Sequence, residues 1–81
     1  MLHTVNKSPF EKNSLETCLR LIDESSSILL IEDGVYGALK NTSISDSVMN
    51  AQKTTKIYVL GPDLKARGLD KSSLISNIEI I

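Results

Sequence analysis

Cys18 is the only cysteine among 81 residues, so it is the only side chain capable of thiol or persulfide chemistry. A sulfur-accepting cysteine needs an accessible thiolate with a lowered pKa. The spacing around Cys18 favours packing instead. Leu15, Cys18, Leu19 and Ile22 recur at i, i+3, i+4 and i+7, the stripe by which an amphipathic helix meets a core, and a free cysteine is among the most readily buried residue types. Arg20, two residues on, projects from a different part of the helix and is a poor thiolate partner. Cys18 therefore stands as the single candidate catalytic residue, with core packing as the favoured reading. A lone cysteine forms no internal disulfide and supplies no zinc-ligand pair, and a reducing compartment is the simpler setting.

His3, the only histidine, could act as a general base, but no serine or cysteine is tied to it by a recognisable motif. A strand-end or surface role is favoured. Ser8, Ser14 and Ser25 to Ser27 lack a nucleophile-elbow setting and read as turn and cap residues. Asp33 and Asp63 each follow an apolar run and precede a helical pattern. They become a carboxylate pair only if their strands are neighbours, and helix capping and turn formation are favoured for both. Gly34 and Gly37 make neither dinucleotide fingerprint nor phosphate loop, so no cofactor is expected, and no metal. Nine Lys and Arg against ten Asp and Glu leave a formal charge of -1, without the basic field that holds a phosphate backbone; direct nucleic-acid binding is not expected. Tyr36, Tyr58 and Phe10 are scattered, as core or interface anchors are, and do not form a base-stacking platform. The longest apolar run, Ile28 to Ile31, is far short of a membrane span, and the first residues lack a signal-peptide core. A soluble cytoplasmic protein is expected, without membrane association.

These residues must be positioned by a small fold. Hydrophobic residues at 41% and charged residues at 23% fit one globular domain over 1–81. Leu2 to Val5 reads as a first strand. Asn13 or Ser14 can cap a helix over 14–24, with Glu16 completing a capping box. Ile28 to Ile31 reads as a central parallel strand covered on both faces. A short helix then runs from Val35 to Lys40, and a helical segment capped by Ser45 or Asp46 passes through Val48, Met49 and Ala51. Lys56 to Leu60 reads as a further strand. Leu64 to Arg67 forms a helical turn ended by Gly68, Ser72 to Ser76 adds another, and Ile78 to Ile81 is a final strand. The β-α-β-α-β-α-β order implies an α/β layer fold with a mainly parallel sheet, flanking helices and right-handed crossovers. A domain this small buries a thin core, so support from partner subunits is expected, with anchors such as Tyr36 or Met49 at the contact.

Three stretches carry a family resemblance: Met1 to Phe10 (MLHTVNKSPF), Leu29 to Val35 (LLIEDGV) and Tyr58 to Leu69 (YVLGPDLKARGL). Together they resemble the DsrH/TusB family of sulfur-relay subunits over nearly the whole chain. The resemblance implies a DsrE/F/H-like fold and assembly with DsrE/TusD-like and DsrF/TusC-like subunits into a heterohexamer. Such complexes pass persulfide sulfur towards wobble-uridine 2-thiolation in tRNA or within dissimilatory sulfur oxidation. The principal persulfide cysteine belongs to the DsrE/TusD partner, which makes this chain an interaction subunit, with sulfur carriage on Cys18 as the alternative. An unrelated α/β binding module using the Gly34 and Gly61 turns is a third reading. Cys18 matches a cysteine found in DsrH members of sulfur oxidisers and absent from some TusB members, and the Val5 to Phe10 wording also leans to the DsrH branch. Family members continue past the last strand with an aromatic-containing segment, whereas this chain stops at Ile81; residues 1–81 are expected to form the single domain without that segment.

Overall fold

A computed structural model describes residues 2–10, 14–21 and 26–81. Its elements are β1 (Leu2–Val5), α1 (Ser14–Leu21), β2 (Ser27–Leu30), a 3-10 helix (Glu32–Ala38), α2 (Ser45–Ala51), β3 (Lys56–Val59), α3 (Gly61–Ala66), a 3-10 turn (Lys71–Ser73) and β4 (Glu79–Ile80). The strands lie side by side in chain order, and each adjacent pair is parallel. The ladder extends one residue past β1 and β2 through the Ile31 N–H to the Val5 carbonyl and the Leu60 N–H to the Leu30 carbonyl, both 3.0 Å.

That strand order decides where the helices go. Right-handed crossovers that always step in the same direction place every connection on one side of the sheet. The burial pattern agrees. Val5, Ile28, Leu30, Ile57 and Val59 form one core with Leu15 of α1, Val35 and Ala38 of the 3-10 helix, Val48 of α2 and Leu64 of α3. Leu29 and Tyr58, on the alternate positions, are half-buried and stand outside that core, and Leu2 is 57% exposed. The apolar run Ile28 to Ile31 is therefore an interior strand, as expected, but among the described residues the core covers one face of it: Ile28 and Leu30 point into the core and Leu29 and Ile31 point away.

Helix boundaries differ from the expectation for identifiable reasons. The first helical segment after β2 begins at Glu32 and is a 3-10 helix, opened by the Gly34 N–H to the Ile31 carbonyl at 2.8 Å. α3 begins at Gly61, because Pro62 occupies the first turn, where a missing N–H costs nothing. It ends at Ala66, with Arg67 as the cap and Gly68 following in a left-handed conformation, φ 66°. Ser45 is the first residue of α2 and not its cap; its hydroxyl donates to the Thr42 carbonyl at 2.8 Å. The later turn lies at Lys71–Ser73, ahead of the expected Ser72 to Ser76. Asn13 and residues 22–25, within or beside the expected first helix, lie outside the described residues.

Among the described residues, one buried side-chain polar atom is left over. Thr55 is 4% exposed, and its hydroxyl has no hydrogen-bond partner among the described residues. Thr55→Val keeps the shape and removes the unpaired hydroxyl, so it is expected to stabilise the fold by about 1 kcal/mol. A urea midpoint that stays level or falls would contradict this.

Candidate functional site

The carboxyl ends of β2 and β3 are adjacent, and this brings Asp33 and Asp63 to one place. Glu32 leaves β2 with φ of 49°, a left-handed conformation uncommon for a residue with a side chain. Its N–H donates to the Asp63 carboxylate at 2.6 Å across 31 positions of sequence. Arg67, just past the end of α3, donates from Nε to Asp33 Oδ1 at 3.0 Å and from Nη1 to the Asp63 carbonyl at 3.1 Å. The Asp63 carboxylate lies 4.0 Å from the same guanidinium.

One cation therefore sits between the two acids and fastens the loop after β2 to α3. This arrangement suits a clamp; a pair poised for acid-base work would need a free carboxylate. Neither helix start carries a side-chain cap hydrogen bond, so the acids serve as cross-loop ties in place of the expected caps. Arg67 was not singled out by sequence reasoning. Its only local signal is the i,i+4 spacing to Asp63, since Asp33 is 34 positions away.

Gly34 and Gly61 offer no cradle between them. A Cβ at Gly34 would overlap the Val5 carbonyl oxygen, and one at Gly61 would meet Ile80. An unreversed strand order also lacks the switch-point crevice in which open α/β sheets bind ligands.

Cys18 lies on α1, half-buried and packed against the core. Burial pushes its thiol above the ordinary value, which makes thiolate scarcer at neutral pH. A shallow groove of about 510 Å³ between α1 and α2 is walled by Leu19, Arg20, Asn50 and Thr54 among others, and Cys18 is not part of that wall. His3 sits on β1 opposite Ile28, half-buried. The Ser8 hydroxyl accepts the Phe10 N–H at 3.2 Å, a turn role as expected. Ser26 is buried and Ser27 opens β2, whereas the side chain of Ser14 and all of Ser25 lie outside the described residues. Among the described residues no cluster of His, Cys, Asp and Glu could hold a metal ion, and no helix is long and apolar enough to cross a membrane.

Comparison with known proteins agrees with this architecture. A solved structure titled as a protein of unknown function, MTH1491 from Methanobacterium thermoautotrophicum, superposes with a TM-score of 0.77 at 16% identity, over 99% of this chain and 78% of the other. Protein TusB of Pectobacterium parmentieri is 36% identical over all 81 residues, which span 81% of that relative. Protein TusB of Escherichia coli O1:K1 is 41% identical over 69 residues, covering 85% of this chain and 70% of the relative. With residues 7–81 also matching the model described as DsrH like protein, the chain belongs to the DsrH-like family.

Proposed function

We propose that this chain is an interaction subunit of a sulfur-relay complex that passes persulfide sulfur between related α/β subunits, towards 2-thiolation of wobble uridine in tRNA. The observation that carries this reading is the likeness to a TusB protein over the full length of the chain; such relatives support the tRNA branch over sulfur oxidation, to which Cys18 and the Val5-to-Phe10 wording lean. DsrE/TusD-like and DsrF/TusC-like subunits are the partners, in a heterohexamer in the cytoplasm. An assembling role over a carrier role is supported by Cys18, whose thiol is half-buried and raised in pKa by that burial.

Cys18→Ser separates the two roles. In the assembled complex the variant is expected to leave the 2-thiouridine content of tRNA largely unchanged. It should cost on the order of 1 kcal/mol of stability, because a hydroxyl replaces a thiol against the core. Alkylation of the wild-type thiol should be slower than that of an unstructured cysteine peptide at pH 7 and should accelerate as pH rises. Fast alkylation, a persulfide mass on Cys18 after incubation with a loaded donor, and loss of relay in the variant would make the chain a carrier.

A further inference from the structure

Lys40, Lys65 and Lys71 are exposed, and among the described residues none of them takes part in an ion pair. They come from three segments that the backbone ties together. An antiparallel bridge joins Leu39 to Leu74, and the Lys40 N–H donates to the Ser73 carbonyl at 3.0 Å, which sets Lys40 beside the turn that carries Lys71. The Gly68 N–H donates to the Lys65 carbonyl at 3.1 Å and the Leu69 N–H to the Leu64 carbonyl at 3.0 Å, so the chain folds back on the end of α3. Two shallow grooves of about 290 Å³ share Leu69 as a wall. One runs past Lys40 and Ser73, the other past Lys65 and Lys71 to exposed Ile80.

Charge identifies the occupant. Asp70 is the only acid among the described residues that line these grooves, so three cationic side chains stand against one anionic one on a chain of formal charge -1. Asp33 and Asp63 are engaged by Arg67, and Glu79 by Lys56. Like charges held together repel, and carboxylates placed among them relieve that repulsion. The walls between the lysines are leucine and isoleucine, with no aromatic ring on which a base could stack. An apolar floor inside a cationic rim suits a protein segment that carries both an apolar anchor and carboxylates, whereas a phosphate backbone offers no anchor.

We propose that this lysine-rimmed surface receives an acidic segment of a partner subunit, with an apolar side chain seated against Leu69 and carboxylates facing Lys40, Lys65 and Lys71. The proposal rests on the interaction-subunit reading. It gives that role a surface other than the expected anchors Tyr36 and Met49, which line neither groove.

The test is carbodiimide cross-linking of the complex purified after co-expression with the DsrE-like and DsrF-like subunits of the same genome. The reagent activates a carboxylate, and a lysine amine displaces it as the urea, so an amide forms and the elements of water pass to the reagent. Peptides joining Lys40, Lys65 or Lys71 to Asp or Glu of a partner subunit are expected. Lys65→Glu combined with Lys71→Glu should weaken retention of that subunit by about tenfold or more and flatten its dependence on salt, while Lys53→Glu, at an exposed lysine beyond α2, retains it. The three substituted lysines are exposed, so each variant should keep the wild-type circular dichroism and urea midpoint. Retention that survives the double reversal, equal loss through Lys53→Glu, or partner cross-links that avoid these lysines overturns the surface and leaves the function standing. Cross-links from these lysines to a second copy of the chain, or salt-sensitive tRNA binding by the isolated chain that the double reversal abolishes, names a different occupant and overturns the proposal as well. A wild-type chain that retains neither subunit overturns the function and the surface together.

Discussion

Gly34→Ala is expected to destabilise the protein by about 3 kcal/mol or more, the upper range for inserting atoms into a packed interior. The new methyl group would overlap the Val5 carbonyl oxygen, which belongs to backbone and cannot rotate away. That same oxygen accepts the Ile31 N–H at 3.0 Å, so moving β1 aside breaks the ladder between the first two strands. At about 0.05–0.15 kcal/mol per residue, a chain of this length has only about 4–12 kcal/mol to lose. Gly37→Ala provides the internal control: its methyl group meets the end of the Leu15 side chain, which can shift, and the loss should be visibly smaller. Urea denaturation followed by circular dichroism reads both. Equal midpoints for Gly34→Ala and wild type would mean that the 3-10 helix does not press on β1 as described.

Asp63→Ala is expected to cost about 2 kcal/mol, the range for a hydrogen bond to a charged group. The carboxylate holds the Glu32 N–H in a left-handed turn and stands beside the Arg67 guanidinium. Its removal leaves that turn without its tie and Arg67 with Asp33 as its remaining carboxylate partner. Asp63→Asn keeps an oxygen that can accept the Glu32 N–H and should lose about half as much. The ranking by urea midpoint, wild type above Asn above Ala, is the check; an alanine variant as stable as wild type would show that Asp63 fastens nothing.

These two sites also show where sequence reasoning reached its limit. Alternating apolar runs and turn residues made β2 and β3 legible, because Ile28 to Ile31 and Lys56 to Leu60 are bounded by residues that stop strands. The stripe through Leu15, Cys18 and Leu19 likewise foretold how α1 meets the core. The run Ile28-Leu29-Leu30-Ile31, however, reads the same whether one face or both are covered. Only the order of strands in the sheet decides, and that order is a long-range property. Arg67 was hidden for the same reason: its partner Asp33 lies on the preceding strand's loop, and no local pattern links them. The Asp33 and Asp63 pairing was conditional on neighbouring strands, and the parallel β2 and β3 ladder supplies that condition.

The identity of strand order and chain order also has a kinetic meaning. Each new strand docks on the one made just before it, so no segment must wait for a distant later one to find its place in the sheet. During synthesis at about 5–20 residues per second, the β1-α1-β2 unit can pair while β4 is still being made, and the sheet grows by addition at one edge. The loops that close are all of similar, moderate length, which keeps the entropic cost of each step nearly uniform. Amide hydrogen exchange, which reads local opening, should be slowest in β2 and β3, each paired on both sides, and fastest in β4, a two-residue strand at the sheet edge.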